Sequence, residues 1–205
     1  MTDHTLEKRT HLYHRAGDHA VAVIAQVPED GWDSPALGTW TVRTLVGHIG
    51  RSFTTVVEYS ARPAERVDVA DAAEYYLAIA GILADPEQID ARAVQAGLAL
   101  GDDPLNAVRA LRDRAAAALA ADDRLIRTIA GGMWLSDYLP TRILELGLHS
   151  VDLARAIGMP EALPPEVAGN VLDLAVEVAQ RRGDGQALMC ALTGRGTLPP
   201  GYSIV

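Results

Sequence analysis

Residues 136–157, SDYLPTRILELGLHSVDLARAI, decide the fold. Ile143, Leu146, Leu148, Val151 and Leu153 flank a polar stripe in which Glu145 and His149 are four residues apart and Asp152 follows at the seventh. Helical spacing puts these three on one face. Ser136 is the expected N-cap, and Pro140 is expected in the first turn, where no intrahelical N–H bond is lost. A carboxylate and an imidazole among aliphatic side chains are costly to bury unless something pairs them, and a divalent metal ion would.

Working outward, the same period recurs. Residues 4–27 repeat Leu6, Tyr13, Ala16, Ala20, Val23, Ile24 and Val27 at helical spacing, and Pro28, Gly31 and Pro35 mark the following loop. Thr39 and Thr41 offer N-cap hydroxyls for a helix over 41–60, whose stripe of Leu45, His48, Ile49, Ser52, Phe53 and Val56 turns His48 inward. A weaker helix is expected over 69–83, broken at Asp85-Pro86, with a short segment to residue 96. Asp103 and Pro104 read as N-cap and first residue of a helix over 104–121. Gly131-Gly132 reads as loop, 165–182 as a helix and 186–192 as a shorter one. No segment alternates convincingly as a strand except 202–205. The expected class is all-α: a four-helix bundle over residues 1–158, then a short helical appendage, residues 159–205, packed on it.

Composition bounds the function. The 205 residues are 49% apolar and 22% charged, ordinary values for a globular chain. The net charge is −9, with no cluster of Lys or Arg, which argues against nucleic-acid partners and against anionic membrane surfaces. One cysteine, Cys190, excludes an internal disulfide and a Cys-rich zinc site. With no apolar signal core in MTDHTLEKRT and no membrane-length stretch, a reducing cytoplasm is the expected location.

Two readings of the polar stripe compete. In one, His48 joins Glu145 and His149 across two facing helices as a three-ligand zinc site with an open fourth position, and Asp152 orients His149. In the other, Arg142, Glu145, His149, Asp152 and Arg155 form a solvated ladder of ion pairs, each contributing only about 0.2–0.5 kcal/mol, and His48 is a core histidine. A rival cluster on the first helix, His4, His11, His14 and His19 with Asp18, reads as an exposed polar face between Lys8, Arg9 and Arg15. Spacing alone leaves these alternatives open.

The stretch from Trp40 through Thr41, Val42, Arg43 and Leu45 to His48-Ile49 resembles the first motif of the DinB-like, mycothiol-dependent maleylpyruvate isomerase family. Asp137-Tyr138-Leu139, Arg142-Ile143-Leu144-Glu145-Leu146 and His149-Ser150-Val151-Asp152-Leu153-Ala154 resemble the second. The tail, Ala191-Leu192-Thr193-Gly194-Arg195 and Leu198-Pro199-Pro200-Gly201-Tyr202-Ser203, is similar to actinobacterial members. The resemblance implies a DinB-like four-helix bundle, with His48, Glu145 and His149 as ligands of Zn2+ or another divalent metal, and mycothiol as the thiol cosubstrate. It implies an isomerase or an S-transferase acting on a small, unsaturated electrophile. The thiol adds across the double bond; rotation and thiol loss then isomerise it, or the adduct is released. Members with a larger α/β C-terminal part differ from this chain there, and Thr44 stands where many carry an acidic residue.

Other residues bear on the site. Arg51, one turn beyond His48, is a candidate anchor for a substrate carboxylate. Trp134 and Tyr138 are read as helix-start packing, with a pocket-lining role as the alternative. Arg195 is read as tying the tail to the bundle, and Cys190 as an inert buried thiol. The expected partners are a small-molecule substrate and a small thiol, with a homodimer as the candidate assembly. The alternative function is a non-catalytic metal-binding helical module for dimerisation or ligand sequestration.

Overall fold

The computed structural model describes residues 3–82 and 86–204, the side chains of Asp3, His4 and Pro86 excepted. Helix α1 (Asp3–Ile24) buries Leu6, Tyr13, Ala16, Ala20 and Ile24, and ends three residues before the pattern in the sequence does. A tight hairpin follows, β1 (Pro35–Leu37) paired with β2 (Trp40–Thr41) around Gly38 at φ 56°. Helix α2 (Val42–Ser60) starts where the Thr41 hydroxyl accepts the Thr44 N–H at 3.3 Å. Its apolar stripe, Leu45, Ile49, Phe53 and Val56, is fully buried.

The middle of the chain is less helical than its periodicity suggests. Helix α3 (Ala72–Ile82) starts three residues late, because the Val69 N–H is bonded to the Gly132 carbonyl at 3.0 Å. Leu83 and Asp85, the expected end and break, lie outside the described residues. Helix α4 (Pro86–Leu98) lies against α2 so closely that a Cβ on Gly47 would meet the Gly97 nitrogen at 2.2 Å. Helix α5 (Pro104–Ala118) has the expected Asp103 cap, accepting the Asn106 N–H at 3.1 Å, and stops three residues short of 121.

A second hairpin, β3 (Leu125–Thr128) with β4 (Gly131–Trp134), occupies the stretch expected to be loop. Two glycines make it fit. Gly131 sits at φ 117°, and a Cβ on Gly132 would meet the Arg66 carbonyl oxygen at 2.0 Å. The 62–69 segment runs along the hairpin, with Pro63 bridged to Ile126. This pairing depends on close backbone approach across some 65 residues of chain, which no local alternation signals.

Helix α6 (Leu135–Ala156) follows β4 directly. Ser136 is not its N-cap. Asp123 takes that role from the preceding loop, accepting the Ser136 N–H at 3.0 Å and its hydroxyl at 2.7 Å. Pro140 consequently falls inside the helix rather than in its first turn, and removes the N–H that the Ser136 carbonyl would have accepted. Helix α7 (Pro165–Arg181) packs on α6 and α3, and α8 (Gly185–Leu192) packs on α7. Tyr202 to Ile204 form no strand, and Val205 lies outside the described residues.

The fold is all-α. α1, α6, α2 and α5 pack in a closed ring, each against the next, around one apolar core. Each fully buried large aliphatic contributes about 1.5–3 kcal/mol, so the stripes of these helices fix their rotation. That rotation sets which polar residues of α2 and α6 face each other. Among the described residues no helix is long and apolar enough to cross a membrane.

Candidate metal centre

Leu45 and Ile49 point into the ring, so His48, between them, faces the seam between α2 and α6. Leu146 and Leu153 do the same for α6, leaving Glu145 and His149 on the seam from the other side. The Nε2 atoms of His48 and His149 lie 3.6 and 3.3 Å from the same carboxylate oxygen, Glu145 Oε2. One ligand atom from each of the three lies within 4.8 Å of the others. Ligands at about 2.0–2.1 Å from a tetrahedral zinc are separated by about 3.3 Å. The two contacts are therefore edges of the right length for a divalent ion bound to two imidazoles and one carboxylate.

Three neighbours hold this arrangement. Asp152 Oδ2 lies 3.1 Å from His149 Nδ1, which makes Nδ1 the protonated nitrogen and turns Nε2 to the centre. The Tyr76 hydroxyl donates to Glu145 Oε1 at 2.9 Å, with the Thr141 carbonyl also in reach at 3.1 Å. Oε2 is thereby left to face the imidazoles. The Trp40 ring packs on His48 at 4.9 Å between centroids, while its Nε1–H donates to Asp90 of α4 at 2.7 Å.

Charge follows geometry. Burial would raise the Glu145 carboxyl, but the imidazoles of His149 and His48 against it and the nearby Arg142 hold it well below the usual carboxylate range. Burial pulls His48 down, so it is neutral. Burial also works against the His149 cation, yet Asp152 and Glu145 outweigh it and push the imidazole up to about 9. A metal ion held by the triad would compete with that proton for His149 Nε2. Burial pushes the Tyr76 and Tyr138 hydroxyls up, so both stay protonated.

The ladder's own contacts are present, Glu145–His149 at 3.3 Å, His149–Asp152 at 3.1 Å and Asp152–Arg155 at 3.9 Å, but most of this face is not solvated. The side chains of His48, Glu145 and His149 are 20%, 18% and 17% exposed, open at one end only. Of the expected ladder, only Arg155 is at the surface, paired with Glu161 at 2.6 Å. Arg142 is buried: its Nε donates to Thr141 Oγ1 at 3.0 Å, and its guanidinium sits 5.0 and 6.0 Å from the Tyr138 and Tyr75 ring centroids.

The open end of the triad faces a cavity of about 590 Å³, walled by Trp40, Tyr59, Tyr75, Ile79 and Tyr138. Arg51 and Arg142 line it, and Arg182 and Ile204 reach it from the C-terminal segment. Tyr138 is both a core residue and a wall, its hydroxyl donating to Thr55 at 2.9 Å. Trp134 is exposed and away from the cavity. Sequence reasoning missed Tyr76, Trp40 and Arg142. Trp40 and Arg142 stood in the two motifs, and Arg142 lies one turn before Glu145 on the same face, but neither was given a role at the site.

The remaining candidates lie elsewhere. His11 is exposed, His14 and His19 are half-buried, and Asp18 pairs with Arg112 at 3.1 Å; the His4 side chain lies outside the described residues. Among the described residues, His48, Glu145 and His149 are the one grouping placed to hold a metal. Arg195 donates to the Thr193 carbonyl within its own turn, not to the bundle. Cys190 is free and half-buried rather than fully enclosed.

A family model described as the mycothiol maleylpyruvate isomerase N-terminal domain matches residues 13–154, a span that includes His48, Glu145, His149 and Asp152. Among proteins of curated function, none matches the sequence. A solved structure described as the crystal structure of the mycothiol-dependent maleylpyruvate isomerase superposes with a TM-score of 0.56. The match is 19% identical and covers 83% of this chain and 68% of that one. At that identity it is a likeness of fold.

Proposed function

The chain belongs to the mycothiol maleylpyruvate isomerase N-terminal domain family, and from that premise we propose that it is a metal-dependent enzyme using mycothiol, or another small thiol, on a small unsaturated electrophile. The reaction is a cis–trans isomerisation or a thiol transfer. The observation that carries the reading is the meeting of two imidazole nitrogens and one carboxylate oxygen, at tetrahedral spacing, on the floor of an open cavity. His48, Glu145 and His149 would hold Zn2+ or another divalent ion. When bound, the ion supplies Lewis acidity that keeps the thiol of the cosubstrate ionised near neutral pH.

The protein's own residues do the rest. Asp152 and Tyr76 fix which atoms of His149 and Glu145 face the centre. Trp40 covers one side of His48. Tyr59, Tyr75 and Tyr138 keep bulk water from the walls, and the cavity is of a size for a small ligand. We take residues 1–158 as the metal-binding bundle and 159–205 as an appendage that supplies Arg182 and Ile204 to the rim. A reducing cytoplasm suits both the single thiol Cys190 and a thiol cosubstrate.

Metal analysis of protein purified without a His-tag tests this. About one divalent ion per chain is expected, lost in His48→Ala and His149→Ala, together with thiol-dependent turnover of an α,β-unsaturated carbonyl compound. No bound metal and no uptake of added zinc would sink the proposal. Metal without turnover would favour a non-catalytic module.

A further inference from the structure

The cavity carries a charge opposite to that of the protein. The chain as a whole is at −9, yet among the described residues the ionisable groups lining the cavity, apart from the histidines and tyrosines, are Arg51, Arg92, Arg142 and Arg182 against the single carboxylate of Glu145. Glu145 is already engaged by His48, His149 and Tyr76.

Arg142 is the unusual member of this group. It is 9% exposed, on α6 one turn before Glu145. Among the described residues its hydrogen-bond acceptor is Thr141 Oγ1, reached by Nε. The two aromatic faces of Tyr138 and Tyr75 confine the guanidinium plane, and among the described residues no carboxylate forms an ion pair with it. A guanidinium carries five N–H donors in a rigid fork matched to a carboxylate. Its terminal nitrogens are not among the fully buried polar atoms that lack a partner, and the residue lines the cavity, so a carboxylate in the cavity is the acceptor that matches the fork.

We propose that Arg142 is the specificity-determining residue of this pocket: it selects an electrophile bearing a carboxylate and grips that group one helical turn from the metal triad. The inference rests on the functional reading above and adds the residue that chooses the substrate. Arg51, less buried and on the opposite helix, raises the local positive potential, while the oriented fork belongs to Arg142. Tyr75, Tyr138 and Arg142 line the same cavity, with the guanidinium 6.0 and 5.0 Å from the two ring centroids.

The test is calorimetric titration of the full-length, metal-loaded chain with maleate and with its uncharged dimethyl ester. The wild-type protein is expected to bind maleate more tightly than the ester. Arg142→Met should weaken maleate binding by about tenfold or more and leave ester binding unchanged, and Arg142→Lys should restore part of the loss. Metal content and thermal unfolding of each variant show whether the fold and the triad are intact. Should Arg142→Met fail to fold, the wild-type preference and the Arg142→Lys variant still decide. Equal binding of the two ligands, or a preference that disappears in Arg51→Met and survives in both Arg142 variants, overturns the proposal. Those outcomes leave metal binding and thiol-dependent turnover standing. Conversely, Arg142-dependent anion binding in a protein that takes up no metal keeps the anchor and removes the enzymatic reading.

Discussion

The Nδ1 atom of His149 lies 3.1 Å from Oδ2 of Asp152, one turn further along the same helix. A second residue on a single helix thus orients the imidazole whose other nitrogen faces Glu145. An outer carboxylate of this kind fixes the ring's tautomer and raises its basicity as a ligand.

Asp152→Ala should therefore weaken metal binding by about 10–100-fold while the helix content and melting temperature of the metal-free protein stay close to wild type. Competition against a chromophoric chelator reads the affinity. An unchanged dissociation constant would show that Asp152 is a bystander.

Tyr76 does for Glu145 what Asp152 does for His149. Tyr76→Phe removes the donor to Oε1 and leaves a buried carboxylate oxygen short of a partner. Hydrogen bonds to charged groups are worth about 1.5–3 kcal/mol, so urea unfolding of the metal-free variant should show a loss in that range. A loss well under 1 kcal/mol would mean that water substitutes for the hydroxyl.

The packing of α4 on α2 depends on two glycines. A Cβ at Gly47 would fall 2.2 Å from Gly97 N and 2.5 Å from its Cα, both backbone atoms that cannot step aside. Gly47→Ala should cost about 3 kcal/mol, the upper end of overpacking, and move the helix segment that carries His48. Gly169→Ala in α7, where a Cβ meets nothing within 4 Å, should instead be neutral or stabilise by up to about 1 kcal/mol. Thermal melts of the pair separate a steric cause from a general intolerance of substitution.

The start of α6 is held from outside the helix. Asp123→Ala removes the acceptor for both the N–H and the hydroxyl of Ser136 and should destabilise by about 1–2 kcal/mol. Ser136→Ala keeps the backbone bond and should cost less. The reverse ranking in denaturant titrations would return the capping role to Ser136.

Local readings succeeded where one periodic element carried the information. The Thr41 and Asp103 caps, the buried stripes of α1, α2, α5 and α6, and the shared face of Glu145 and His149 follow from helical spacing. They failed where a partner distant in sequence intervened. Asp123 displaced Ser136 as the cap, and the Arg66 carbonyl required Gly132 in a hairpin that looked like loop. Arg142 had the pattern of a surface ion pair and is instead enclosed by Tyr75 and Tyr138, from two different helices.

The sequence by itself determined an all-α chain, the helix that carries Glu145, His149 and Asp152 together, and the inward turn of His48, because a 3.6-residue period dictates which side chains share a face. The tertiary structure alone decided that His48 and His149 share one carboxylate oxygen, that Tyr76 and Trp40 hold them, and that Arg142 faces a cavity. Those relationships depend on the axial offset and rotation of α2, α3 and α6 against one another, and packing of the common core sets them.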